Sequence, residues 1–134
     1  MKIKVLLVDD DDSCLMLGSL ILERAGITSY CVMSGKEALK AIQEKEFDLI
    51  ITDFNMPGMD GIELAEQARE IAPHTPIIVN SGALSPEIVQ RAKERGVVKV
   101  LEKPFNPDIM LSLIDSILSN SLPSKTIPLG CHYV

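Results

Sequence analysis

The sequence predicts an α/β domain, a doubly wound five-stranded parallel sheet with five helices. Three observations carry that expectation. Five short aliphatic runs recur along the chain without strict alternation, the pattern of strands buried on both faces. A helix-length segment follows each run, as β-α alternation in a parallel sheet requires. Capping or turn residues mark most of the changes between the two patterns. The 134 residues suit one domain and leave little room for a second.

The elements follow in order. Lys4 to Val8 is the first apolar run, ending at Asp9. Ser13 to Ala25 is the first helix, stopped by Gly26. Thr28 to Val32 is the second strand. Ser34-Gly35-Lys36-Glu37 then has capping-box spacing, and Ala38, Leu39 and Ile42 mark an apolar stripe. Leu49 to Thr52 is the third strand. Gly61 to Ile71 spaces Ile62, Leu64, Ala65, Ala68 and Ile71 at near-helical intervals, with Pro73 beyond the end. Pro76 to Val79 and Val98 to Leu101 are the fourth and fifth strands. Ser85-Pro86 and Asn106-Pro107 each set a capping residue before a proline suited to a first helical turn. Those two helices run to about Arg95-Gly96 and Leu118. Residues 1–120 are expected to form the domain. Residues 121–134, broken by Pro123 and Pro128, are expected to be a flexible tail too short for an output domain.

Composition removes several function classes. Thirteen Lys and Arg against 19 Asp and Glu leave a net charge of −6, the wrong sign for a nucleic-acid footprint. No apolar run reaches the roughly 18 residues that cross a bilayer. The N-terminal apolar stretch is too short for a signal peptide. Cys14, Cys31 and Cys131 are too widely spaced for a metal motif or a disulfide framework and read as reduced thiols, which points to the cytoplasm.

Ligands of parallel sheets gather at the carboxyl ends of the strands. Here those ends carry Asp9-Asp10, Asp53, Asn80-Ser81-Gly82 and Glu102-Lys103-Pro104. Three carboxylates in one place repel one another and call for a cation. Hard oxygen donors with room for water favour Mg2+. Lys103 adds a positive charge and Ser81 a hydroxyl, both suited to phosphoryl oxygens. A carboxylate nucleophile with a metal and a lysine is the set that accepts a phosphoryl group.

These residues resemble the receiver domain of response regulators in two-component signalling, over residues 1–120. The resemblance rests on Val8-Asp9-Asp10, the segment from Asp53 through Asn55-Met56-Pro57-Gly58 to Gly61, Ser81, and Lys103-Pro104-Phe105, in that order. It implies a flavodoxin-like sheet of strand order 2-1-3-4-5. Asp53 would be the phosphoacceptor, charged from a phosphohistidine on a sensor histidine kinase or phosphotransfer protein. Asp10 would bind Mg2+ directly, Asp9 mainly through water, and Asn55 through its backbone carbonyl. Lys103 would pair with Asp53 and then with the phosphoryl group, and the bond to Pro104 would be cis. Ser81 would swing toward the phosphoryl oxygens. The chain is read as a single-domain switch whose output is binding to a further protein, with no direct contact to nucleic acid or membrane. It would catalyse only its own phosphorylation and dephosphorylation.

Two positions depart from the family pattern. Val100 stands three places before Lys103, where an aromatic residue commonly reports the switch, and Ala83 stands where a polar residue is often found. The first helix is also unusual in being apolar nearly all round. Cys14, Leu17, Gly18, Ile21 and Ala25 fit a buried stripe. Leu15, Met16, Leu20 and Leu22 lie off it, and Leu15, Met16 and Leu20 are expected to form a kinase-docking surface, with burial or weak homodimerisation as the competing explanation. Asp11 and Asp12 read as capping residues, Gly58 and Gly61 as turn residues, and His74 and His132 as bystanders. Two other functions compete. A Mg2+-dependent phosphohydrolase would commonly carry an acid where Asn55 stands. A phosphorylation-independent docking module would not need Asp10, Asp53, Ser81 and Lys103 together.

Overall fold

The computed structural model describes residues 2–104 and 106–120. Strands β1 (Lys4–Val8), β2 (Thr28–Val32), β3 (Leu49–Asp53), β4 (Ile77–Ser81) and β5 (Lys99–Glu102) alternate with helices α1 (Asp12–Arg24), α2 (Gly35–Glu44), α3 (Gly61–Ile71), α4 (Pro86–Glu94) and α5 (Pro107–Asn120). The strands form one parallel sheet in the order β2-β1-β3-β4-β5. The predicted fold class and strand order are both present. The chain divides into two compact units at residue 104, so α5 belongs to a different unit from the sheet and the first four helices. The tail expected over 121–134, with Cys131 and His132, lies outside the described residues.

Register fixes which side chains share a sheet face, because paired residues of neighbouring parallel strands point the same way. Leu6, Val8, Ile50, Ile77 and Val79 build one core with Ala38, Ala41 and Ile42 of α2, Ile62, Leu64, Ala65 and Ala68 of α3, and Ala92 of α4. Helix α1 lies on the other face. Its Ser19 hydroxyl meets that of Ser29 at 2.9 Å, and Ser29 is in register with Val5, one residue out of phase with Leu6.

Local chemistry sets the helix starts. Asp11 caps α1 by accepting from the Ser13 N–H, and Asp12 stands in the first turn, where negative charge is favoured. Ser34 caps α2 as its spacing predicts, but the Glu37 carboxylate reaches one residue further back, to the Met33 N–H. A full capping box closes α3: Asp60 accepts from Ile62 and Glu63, and the Glu63 carboxylate accepts from the Asp60 N–H. Ser85 caps α4, with Pro86 in its first turn. The fourth strand begins one residue later than expected and runs on through Ser81, so Ser81 is its last residue and not part of the following loop.

The docking surface expected on α1 needs correction. Leu15 is 6% exposed and belongs to the core with Gly18, Ile21 and Leu22. Leu17, assigned to the buried stripe, is 44% exposed, as are Met16 (74%) and Leu20 (47%). Ala25 is exposed at the helix end. A helix apolar on every side gives almost no periodic signal, so only its packing against the sheet decides which residues are buried.

Candidate functional site

The carboxyl ends of β1 and β3 bring two aspartates together below the surface. Val8 pairs with Thr52, so Asp9 and Asp53 follow on neighbouring strands. Both are buried, and Asp10 is exposed beside them. Carboxylate oxygens of Asp9, Asp10 and Asp53 lie within 4.8 Å of one another. Hard oxygen donors so close, one of them open to solvent, fit a small divalent cation with water in its remaining positions.

Lys103 reaches in from the end of β5. Its ammonium donates to Asp9 Oδ2 at 2.8 Å and pairs with Asp53 Oδ1 at 3.1 Å. The Cys14 thiol of α1 lies 3.7 Å from the same nitrogen. The Lys103–Pro104 bond is cis. Lys103 thus holds both buried aspartates, with the shorter contact to Asp9.

Charge and burial oppose each other here. Burial pushes the Asp53 carboxyl above its ordinary range. The hydrogen bond from Lys103 pulls the other way, and the Asp9 charge adds to the rise. Burial alone would weaken the Lys103 ammonium, but Asp9 and Asp53 outweigh it and hold its pKa above the usual lysine value. Burial and the Asp9 charge also push the Cys14 thiol up, so it remains protonated beside the lysine.

The remaining residues frame this centre. Ser81 Oγ donates to the Ala83 carbonyl and accepts from the Ala83 N–H, so its hydroxyl is engaged with the loop that follows β4. Asn55 is exposed, two residues beyond Asp53. Gly58 has φ +81°, a left-handed turn position that favours glycine. Gly61 is needed for close approach: a β-carbon there would collide with the Asp53 carbonyl oxygen, while its N–H donates to the Phe54 carbonyl at 2.9 Å. The first turn of α3 is therefore seated directly on the backbone of Asp53. Val100 is half-buried against the core.

Some contacts had no clear signal in sequence. Cys14 reads as a stripe residue, yet it touches Lys103. The Asp60–Glu63 spacing could have announced the α3 cap. The Asp60 carboxylate also takes an ion pair from Arg91 of α4 at 3.1 Å, which tertiary packing alone reveals.

Comparison with known proteins agrees with this geometry. The sequence matches the response regulator receiver domain over residues 5–115. It is 33% identical over 120 residues to the transcriptional regulatory protein GlrR of Escherichia coli, covering 90% of this chain and 27% of GlrR. It is 27% identical over 130 residues to the sensory/regulatory protein RpfC of Xanthomonas campestris, covering 94% of this chain and 18% of RpfC. The chain thus spans about a quarter or less of these curated relatives. Among solved structures, the chemotaxis protein CheY4 of Vibrio cholerae superposes with TM-score 0.84 at 38% identity, over 88% of this chain and all of CheY4. A CheY-like receiver domain from Methanospirillum hungatei superposes with TM-score 0.86 at 30% identity, over 90% and 96% of the two chains. The fold, the ordered strand-end residues and these likenesses agree: the chain belongs to the response regulator receiver domain family of two-component systems.

Proposed function

We propose that the chain is a phosphorylation switch in which Asp53 takes a phosphoryl group from a phosphohistidine on a sensor kinase or phosphotransfer protein. The observation that carries this reading is the pairing of one lysine with two buried aspartates, beside a third that is exposed. A carboxylate oxygen of Asp53 attacks phosphorus, the phosphorus–nitrogen bond breaks, and the imidazole leaves with the bonding pair. Asp9, Asp10 and Asp53, with the Asn55 backbone carbonyl, would hold Mg2+, which supplies the charge that lets an anionic phosphoryl group approach carboxylates. Lys103 already contacts Asp53 and needs only a small movement to meet a phosphoryl oxygen. Ser81 would leave Ala83 for another such oxygen and draw the loop after β4 inward. Half-buried Val100 leaves the strand-five position without an aromatic reporter, so the Ser81 loop and α4 carry the readout to a further protein.

Transfer from a labelled histidine phosphotransfer domain tests this. Label should pass to the chain and be lost with Asp53→Ala. Label retained by that variant would contradict the assignment. The exposed Met16, Leu17 and Leu20 of α1 form the proposed docking surface, in place of the buried Leu15.

A further inference from the structure

The sheet register adds a third polar group to the row that holds the two buried aspartates. Asp9 and Asp53 follow the Val8–Thr52 pair on β1 and β3, and Asp53 pairs in turn with Asn80 of β4. Paired residues point to the same face, with neighbouring strands about 4.8 Å apart. Asp9, Asp53 and Asn80 therefore form one lateral row. Asn80 is 2% exposed, and its Oδ1 has no hydrogen-bond partner. Two residues earlier on the same face, Ile78 fills the corresponding space with an aliphatic side chain. A buried amide oxygen without a partner is costly where an aliphatic group would serve, so it needs an explanation.

Its neighbour explains it. An ionised carboxylate only accepts, and so does an amide oxygen, so two such groups side by side need a donor between them. The Lys103 ammonium is committed to Asp9 and Asp53. Water has two hydrogens to give and suits a buried polar site of this kind. We propose that Asn80 is a positioning residue for the phosphoacceptor: its Oδ1 and the Asp53 carboxylate hold one water between them, which donates a hydrogen to each. Lys103 then fixes one side of the carboxylate and the Asn80 water the other, so the attacking oxygen keeps a single orientation. This inference rests on the reading of Asp53 as the phosphoacceptor.

The test compares the full chain with Asn80→Leu and Asn80→Ser, using acetyl phosphate and Mg2+. Asn80→Leu, which cannot hold the water, should take up phosphoryl about tenfold more slowly, as losing an outer-shell partner does. Asn80→Ser, which keeps a hydroxyl in the row, should recover most of the rate. A merely structural residue would change the melting temperature and leave the uptake rate of the folded chain unchanged. Wild-type uptake by Asn80→Leu, or equal slowing in both variants, would overturn the proposal. If leucine prevents folding, Asn80→Val replaces it with the same expectations. If the wild type takes up no phosphoryl group, the phosphoacceptor reading fails, and a high-resolution crystal structure decides the water separately. Water density between Asn80 Oδ1 and Asp53 would support the proposal, and a dry contact would overturn it.

Discussion

Asp53 is a carboxylate placed where carboxylates are least comfortable. Burial and Asp9 favour its neutral form, and Lys103 only partly offsets them. A raised carboxyl pKa means that the folded chain binds this proton more readily than the unfolded chain does. Asp53 therefore costs stability once pH rises above the ordinary carboxylate range, and costs nothing below it. Without metal, Asp53→Asn should melt a few degrees higher at neutral pH, and the gain should vanish as pH falls through the carboxylate range. A pH-independent difference in thermal melts would contradict this electrostatic account. The convergence at the candidate site was legible because a parallel sheet brings its strand ends together, so Asp9, Asp53 and Lys103 had to meet. What was hidden is how each is shared. Lys103 makes its shorter contact with Asp9, and it also touches Cys14, because of side-chain geometry that spacing does not encode. Asn80 escaped for a similar reason, since register and burial become visible only once the strands are paired.

The elements show where periodicity has force and where it lacks it. Helix α3 carries small and aliphatic residues on one side and polar ones on the other, and its bounds are those expected from sequence. Its first residue has a second duty. Gly61→Ala would press a methyl group onto the Asp53 carbonyl, so this variant should lower the melting temperature and slow phosphoryl uptake together. Unchanged uptake would show that the α3 seat does not position Asp53. Helix α1 is the opposite case, because apolar residues surround it and its stripe could not be chosen in advance. Leu15→Ala should cost about 2–5 kcal/mol, as a core truncation does. Met16→Glu and Leu20→Glu should each stay within about 0.5 kcal/mol of wild type in denaturant titrations. If α1 docks the kinase, those two variants should lose transfer from phosphohistidine and keep uptake from a small donor. Equal loss of both would remove α1 from the docking surface.

At the scale of the molecule, strand order makes the site. Placing β1 between β2 and β3 sets Asp9 beside Asp53, and placing β4 and β5 beyond β3 brings Ser81 and Lys103 to the same end. Polar links then join α3 to α4, through Asp60 with Arg91, Glu66 with Arg95, and Arg69 with the Arg95 carbonyl. Contacts thus run from the Asp53 backbone through Gly61 and Asp60 to Arg91 of α4. No helix of the described residues is long and apolar enough to cross a membrane. In the proposed switch, the chain carries its own phosphoryl-accepting chemistry. The most direct measurement is the intact mass after incubation with acetyl phosphate and Mg2+, beside a chelator control and Asp53→Ala. A gain of one phosphoryl group, lost in both controls, is the predicted result. No gain by the wild type, or an equal gain by Asp53→Ala, would contradict it.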